Sequence, residues 1–140
     1  MNAINAAVIA ATFLLDNDGL WESRIWFGNV PPNTDYPYVW IVFQGGAEQN
    51  ADLKADPLIT LAITASATDQ QTALDCGKRI GALLNDTGAH DRFPRAAGVG
   101  GWTFRTITRA TFVYMEEPID NAERVFRCGN QYLFNMEGQY

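Results

Sequence analysis

The run Tyr38-Val39-Trp40-Ile41-Val42-Phe43 is apolar at every position. Successive side chains of a strand point to opposite faces, so an extended segment of this kind offers no face to water and needs cover on both. Val30-Pro31-Pro32-Asn33 and Tyr36-Pro37 precede it and impose extended or turn geometry, which keeps a helix away from its start. One face of the strand can meet the core. The other needs a helix or another subunit, and the sequence leaves both open.

The neighbouring segments give this strand a setting. Ile4, Val8, Ala11, Thr12 and Leu15 recur at helical spacing, and Asp18-Gly19 supplies a turn, so the chain is expected to open with a short amphipathic helix. Trp21 to Phe27 reads as a short extended segment. From Leu58 to Ala67 the pattern alternates: Ile59, Leu61, Ile63 and Ala65 point one way and Thr60, Thr64 and Ser66 the other, as in a half-buried strand. Thr68 and Gln71 have the spacing of a capping box ahead of Leu74, Gly77, Ile80, Gly81 and Leu84. In that second helix Ala73, Gly77 and Gly81 form a stripe of small residues, which suits a close approach to a neighbouring element.

Trp102, Phe104, Thr106, Thr108, Ala110, Phe112 and Tyr114 are expected to line one face of a long strand that ends at Glu116-Glu117-Pro118. Phe126, Cys128, Tyr132, Phe134 and Met136 share a face of the next, with Gly129 as a bulge. The reading is one α+β domain over residues 1–140. Its sheet is mainly antiparallel, two α-helices pack on it, and it ends in a long β-hairpin.

Composition narrows the partners. Sixteen acidic against ten basic residues give a formal charge of -6, which opposes tight phosphate binding. No segment has the roughly 20 apolar residues of a membrane-spanning helix. Residues 6–15 are apolar enough for the middle of a signal peptide, yet the first basic residue is Arg24. Cys76 and Cys128 each fall inside a regular element, and two buried thiols in a reducing compartment are expected.

The residues able to do chemistry do not converge. His90-Asp91 joins the sole histidine to a neighbouring carboxylate, but adjacent side chains seldom point at one another, and a solvated loop histidine is expected. Cys76 sits in a helix as a small packed side chain. Two cysteines and one histidine far apart match no zinc spacing. Asp16-Asn17-Asp18-Gly19 fails as an EF-hand, since the outer ligand positions would be Leu14 and Ile25. Gly98-Val99-Gly100-Gly101 leads into a strand and lacks the helix of a phosphate loop. Glu116 and Glu117 are adjacent and face opposite ways. Arg92 and Arg95 around Phe93 are too few for a nucleic-acid site. The expectation is a structural protein that self-associates, is not an enzyme and has neither cofactor nor metal.

The order of these pieces resembles the tail terminator, or tail completion, proteins of long-tailed bacteriophages. The matching pieces are the N-terminal helix, Gly28-Asn29-Val30-Pro31-Pro32 leading into Tyr36-Pro37-Tyr38-Val39-Trp40, the strand from Leu58 to Ala67, the helix from Asp69 to Leu84, and the final strands through Arg109 to Tyr114 and Arg124 to Phe134. The resemblance implies a homohexameric ring that caps the tail tube protein and joins it to a head-tail connector or stopper protein. DNA would pass its channel without specific binding, and assembly in the host cytoplasm would place the ring in the virion. Within that frame Trp40, Val42, Arg105, Arg109 and Arg127 are candidate subunit contacts. Glu116, Glu117 and Asp120 are candidates for an acidic channel wall, and Gly45, Gly46, Glu48 and Asp52 for a mobile loop docking on a neighbouring ring. The alternatives are another neck or tail ring component, such as a connector adaptor, stopper or tail tube subunit, and a monomeric peptide-binding module.

Overall fold

A computed structural model describes residues 2–16, 19–48, 57–84, 99–119 and 123–138. His90, Asp91, Arg92, Phe93, Arg95, Asp52 and Asp120 lie outside these residues. The elements run α1 (Ala3–Asp16), a 3-10 turn (Gly19–Trp21), β1 (Ile25–Phe27), β2 (Tyr38–Glu48), β3 (Pro57–Ala67), α2 (Gln70–Leu84), β4 (Trp102–Pro118) and β5 (Arg124–Gly138). The strands form one mixed sheet in the order β1-β2-β3-β5-β4. Only β1 and β2 pair in parallel; the other three ladders are antiparallel. The α+β class is therefore shown, with both helices on one face of a mostly antiparallel sheet.

Asn2 opens α1, its Oδ1 accepting the Asn5 N–H at 2.8 Å. The buried side of α1 is Ala6, Ala7, Ala10, Ala11, Leu14 and Leu15. That stripe is turned from the expected one: Ile4 and Val8 pack only at its margin, while Ile9 and Phe13 are 43% and 45% exposed. Alanine's small side chain explains the rotation, because it lets the helix sit close to α2 and β3. The cap of α2 is Asp69, one residue after the expected Thr68. Asp69 Oδ2 accepts from both the N–H and the hydroxyl of Thr72, each at 2.9 Å, and Gln71 instead donates to Asp75.

The helical stripe of small residues does what its spacing suggests. A Cβ on Gly77 would come within 2.9 Å of the Cys128 carbonyl oxygen and sulfur, so α2 lies directly on β5 there. Gly81 has more room, its nearest neighbours being the Tyr132 hydroxyl at 3.6 Å and Arg109 at 3.7 Å. Beneath the helices, Val39, Ile41, Leu61, Ile63, Ile107, Tyr132, Phe134 and Met136 build the core.

Four strand expectations need correction. Gly45, Gly46 and Glu48 are not loop: β2 continues through them, paired with Thr60, Ile59 and Pro57 after an irregularity between Phe43 and Gly45. Composition suggested a loop there, and pairing with β3 overrides it. The strand β4 does not keep one face, because register shifts between Phe104 and Thr106 and between Arg109 and Phe112 each reset the alternation. Gly129 is no bulge; β5 runs in unbroken register along β3, and the glycine is required because a Cβ would collide with the Ile63 carbonyl. Finally β3 is buried on both faces from Leu61 to Ala67, although no helix among the described residues covers its second face.

Candidate assembly surface

Strand register fixes what lies on the face away from the helices. Trp26 pairs with Trp40, Trp40 with Thr64, and Thr64 with Gly129, which pairs in turn with Val113. The same face carries Val42, Ala62, Ser66, Arg127, Gln131, Leu133 and Met115. From Thr60 to Ser66 its middle strand contributes small side chains, Thr60, Ala62, Thr64 and Ser66, while the flanking strands supply the large Trp40, Val42, Arg127 and Gln131.

The large side chains close over the small ones. Arg127 on β5 reaches across β3 so that its guanidinium carbon stands 4.9 Å from the centre of the Trp40 ring, while an ion pair joins it to Glu117. Gln131 on β5 likewise donates to Gln44 Oε1 on β2 at 2.5 Å. These bridges account for the burial of Thr64 and Ser66 without a helix above them. Trp40 is held from its other side, its Nε1 donating to the Gly28 carbonyl at 2.6 Å. The Arg127 side chain is only 13% exposed. That burial pushes its pKa down, but the Glu117 carboxylate and the Tyr38 hydroxyl outweigh it and hold the guanidinium above its ordinary value.

The apolar side chains open to water on this face are Trp26, Trp40, Val42, Val113 and Leu133, all half-buried, and Met115, which is 39% exposed; Thr108 and Glu117 are exposed among them, and Thr60, Gln131 and Asn135 half-buried. Among the described residues no element lies over them. The face therefore has a bridged centre and a periphery where apolar side chains stand among polar ones, a mixture that protein interfaces share.

The five expected interface residues do not form one patch. Trp40, Val42 and Arg127 come together on the open face. Arg109 lies opposite Tyr132 on the helix side, and Arg105 sits at the first irregularity of β4, paired with Glu137 at 3.3 Å. Glu116 and Glu117 face opposite ways as expected. Both are neutralised locally, Glu117 by Arg127 and Glu116 by Arg124 at 3.2 Å and the Tyr114 hydroxyl at 2.8 Å. Trp26, Val113, Met115, Leu133 and Gln131 were not singled out from sequence. Their shared face depends on register across strands distant in the chain, which no local periodicity records.

Other chemistry is sparse among the described residues. No group of three or more His, Cys, Asp and Glu side chains is arranged to hold a metal. Cys76 and Cys128 are buried thiols not joined in a disulfide, and burial, with Cys76 nearby, pushes the Cys128 thiol up. Two shallow clefts lie at opposite edges of the sheet. One, of about 410 Å³, is lined by Gly77, Lys78, Arg109, Phe112 and Asn130 beside β4. The other, of about 370 Å³, is lined by Glu22, Trp26, Pro31, Pro32 and Asp35 beside β1. No helix among the described residues is long and apolar enough to cross a membrane.

No protein-family model matches the chain, and no curated protein is similar to it in sequence.

Proposed function

We propose that the chain is a ring-forming structural subunit of the neck of a long-tailed bacteriophage, capping the finished tail tube and joining it to the head connector. The observation that carries this reading is the uncovered sheet face. The apolar side chains Trp26, Trp40, Val42, Leu133 and Met115, with no helix above them among the described residues, suit burial against another copy or a neighbouring ring. The order of segments that resembles tail terminators supports the place in the neck.

In this role Arg127 and Gln131 keep the centre of the face flat and rigid, while the apolar rim supplies buried area. The paired state of Glu116 and Glu117 weakens them as an acidic channel wall, because each carboxylate already has a cation. A lumen that does not hold DNA would then rest on the net charge of -6 per copy.

Electron microscopy of the protein mixed with tail tubes tests the reading. A ring at the head-proximal end of the tube is expected. A protein that stays monomeric at high concentration, and also with tail tubes present, overturns it. A ring elsewhere in the neck favours a connector adaptor or stopper.

A further inference from the structure

The two edges of the sheet differ in a way that bears on how copies join. At the β4 edge, the irregularity between Arg109 and Phe112 pushes Phe112 outward on the helix side, where it is 61% exposed, the most exposed large apolar side chain in the described residues. Lys78 of α2 and Arg109 flank it, and among the described residues that line their cleft none is a carboxylate. At the β1 edge, the other end of the five-stranded sheet, Trp26, Pro31 and Pro32 line a second cleft on the open face, with Glu22 and Asp35 beside them. Its one cation, Arg24, is turned onto the Tyr36 and Pro37 carbonyl oxygens at 3.2 and 3.3 Å. Among the described residues Lys78, Arg109, Glu22 and Asp35 form no ion pair.

We propose that copies of this chain join head to tail, the Phe112 ring of one seating in the Trp26-Pro31-Pro32 cleft of the next, with Lys78 and Arg109 facing Glu22 and Asp35. This rests on the ring reading above and names the contact within it.

Three observations favour a second copy as occupant. The charges are complementary, two cations against two carboxylates, and none of the four forms an ion pair among the described residues. An exposed aromatic ring matches a cleft walled by an indole and two pyrrolidines, surfaces that pack well on aromatics. The two sites point to opposite sides of the sheet, so the β4 edge of one copy slides beneath the open face of its neighbour. That overlap covers the Trp26 and Trp40 end of the face. Because the joined surfaces differ, the contact is heterologous and generates a ring when its rotation closes.

Charge reversal with complementation tests it on the full chain, with sedimentation velocity as the readout. Lys78→Glu with Arg109→Glu, and separately Glu22→Lys with Asp35→Lys, are each expected to weaken association at least tenfold and to sediment as monomer. Mixed in equal amounts, the two variants are expected to assemble again, since every contact then pairs opposite charges. Circular dichroism establishes that each is folded. If Arg109→Glu disturbs the region around Tyr132, the single changes Lys78→Glu and Asp35→Lys carry the same test. Native protein that assembles while the reversed variants assemble equally well, or folded variants that stay monomeric when mixed, overturns this contact and leaves the ring reading standing. A native chain that never associates, with or without tail tubes, overturns both.

Discussion

Arg127 and Trp40 stand on strands that do not pair, yet the guanidinium lies 4.9 Å from the indole centre because β3 between them carries the small Thr64 and Ser66 on that face. A cation over an aromatic ring, largely removed from water and paired with Glu117, stabilises more than an exposed ion pair does. Arg127→Ala is expected to lower stability by about 1–2 kcal/mol, read from the urea midpoint. Arg127→Lys keeps the charge but loses the planar stack, and should recover only part of that loss.

Gly77 and Gly81 are one helical turn apart and should respond oppositely to alanine. Both substitutions raise helix propensity by about 1 kcal/mol. At Gly81 the new methyl meets only ordinary contacts beyond 3.5 Å, so Gly81→Ala should stabilise by about that amount. At Gly77 it meets the Cys128 backbone at 2.9 Å, so α2 must lift from β5 and a net loss of about 1 kcal/mol is expected. Gly129→Ala is the more severe case, at about 3 kcal/mol, since the Ile63 carbonyl cannot move without breaking the β3–β5 ladder. Chemical denaturation of the three variants separates these signs.

The cap of α2 gives an acid-side signature. Hydrogen bonds from the Thr72 backbone and then its hydroxyl hold the Asp69 carboxyl below its ordinary value of 3.8. A depressed folded pKa means that the stabilisation is fully present above pH 3.8 and is lost as pH falls through the folded value. Asp69→Asn retains the cap geometry without the titration. Its melting temperature is expected to vary less than that of the native chain across that acid window.

Cys128 gives the alkaline counterpart. Burial, with a smaller contribution from Cys76, holds its thiol above the ordinary value of 9.0. The folded protein therefore keeps the thiol neutral where the unfolded chain ionises it, and stability should fall as pH rises through 9.0 and beyond. Both thiols are buried, so neither is expected to react with a thiol reagent until the protein is unfolded.

The open face can be separated from the fold by a charge at its margin. Met115→Asp touches a side chain already 39% exposed, so the monomer should melt within a few degrees of the native protein. Docking on tail tubes, read by electron microscopy, should nonetheless be lost, while the Phe112 contact between copies persists in sedimentation. Unchanged docking would remove the β4 end of the open face from the interface.

Local sequence determined the elements wherever period and composition agreed. The apolar run Tyr38 to Phe43 had to be a strand covered on both sides, and the alternation from Leu58 to Ala67 and the small-residue helix face at Gly77 were equally legible. Each depends on side chains within a few residues of one another, which is the range over which periodicity carries information. Tertiary structure decided the rest. The loop-like glycines Gly45 and Gly46 became strand because β3 offered them partners. The alternation of β4 failed at two places where it slips against β5, and Gly129 was needed because two strands approach closely. Above all, the sequence required a cover for the second face of β2 without saying what it is. The fold places both helices on the other side and bridges the centre with Arg127 and Gln131. The apolar side chains at its margin come from four strands, and only their register brings them to one surface.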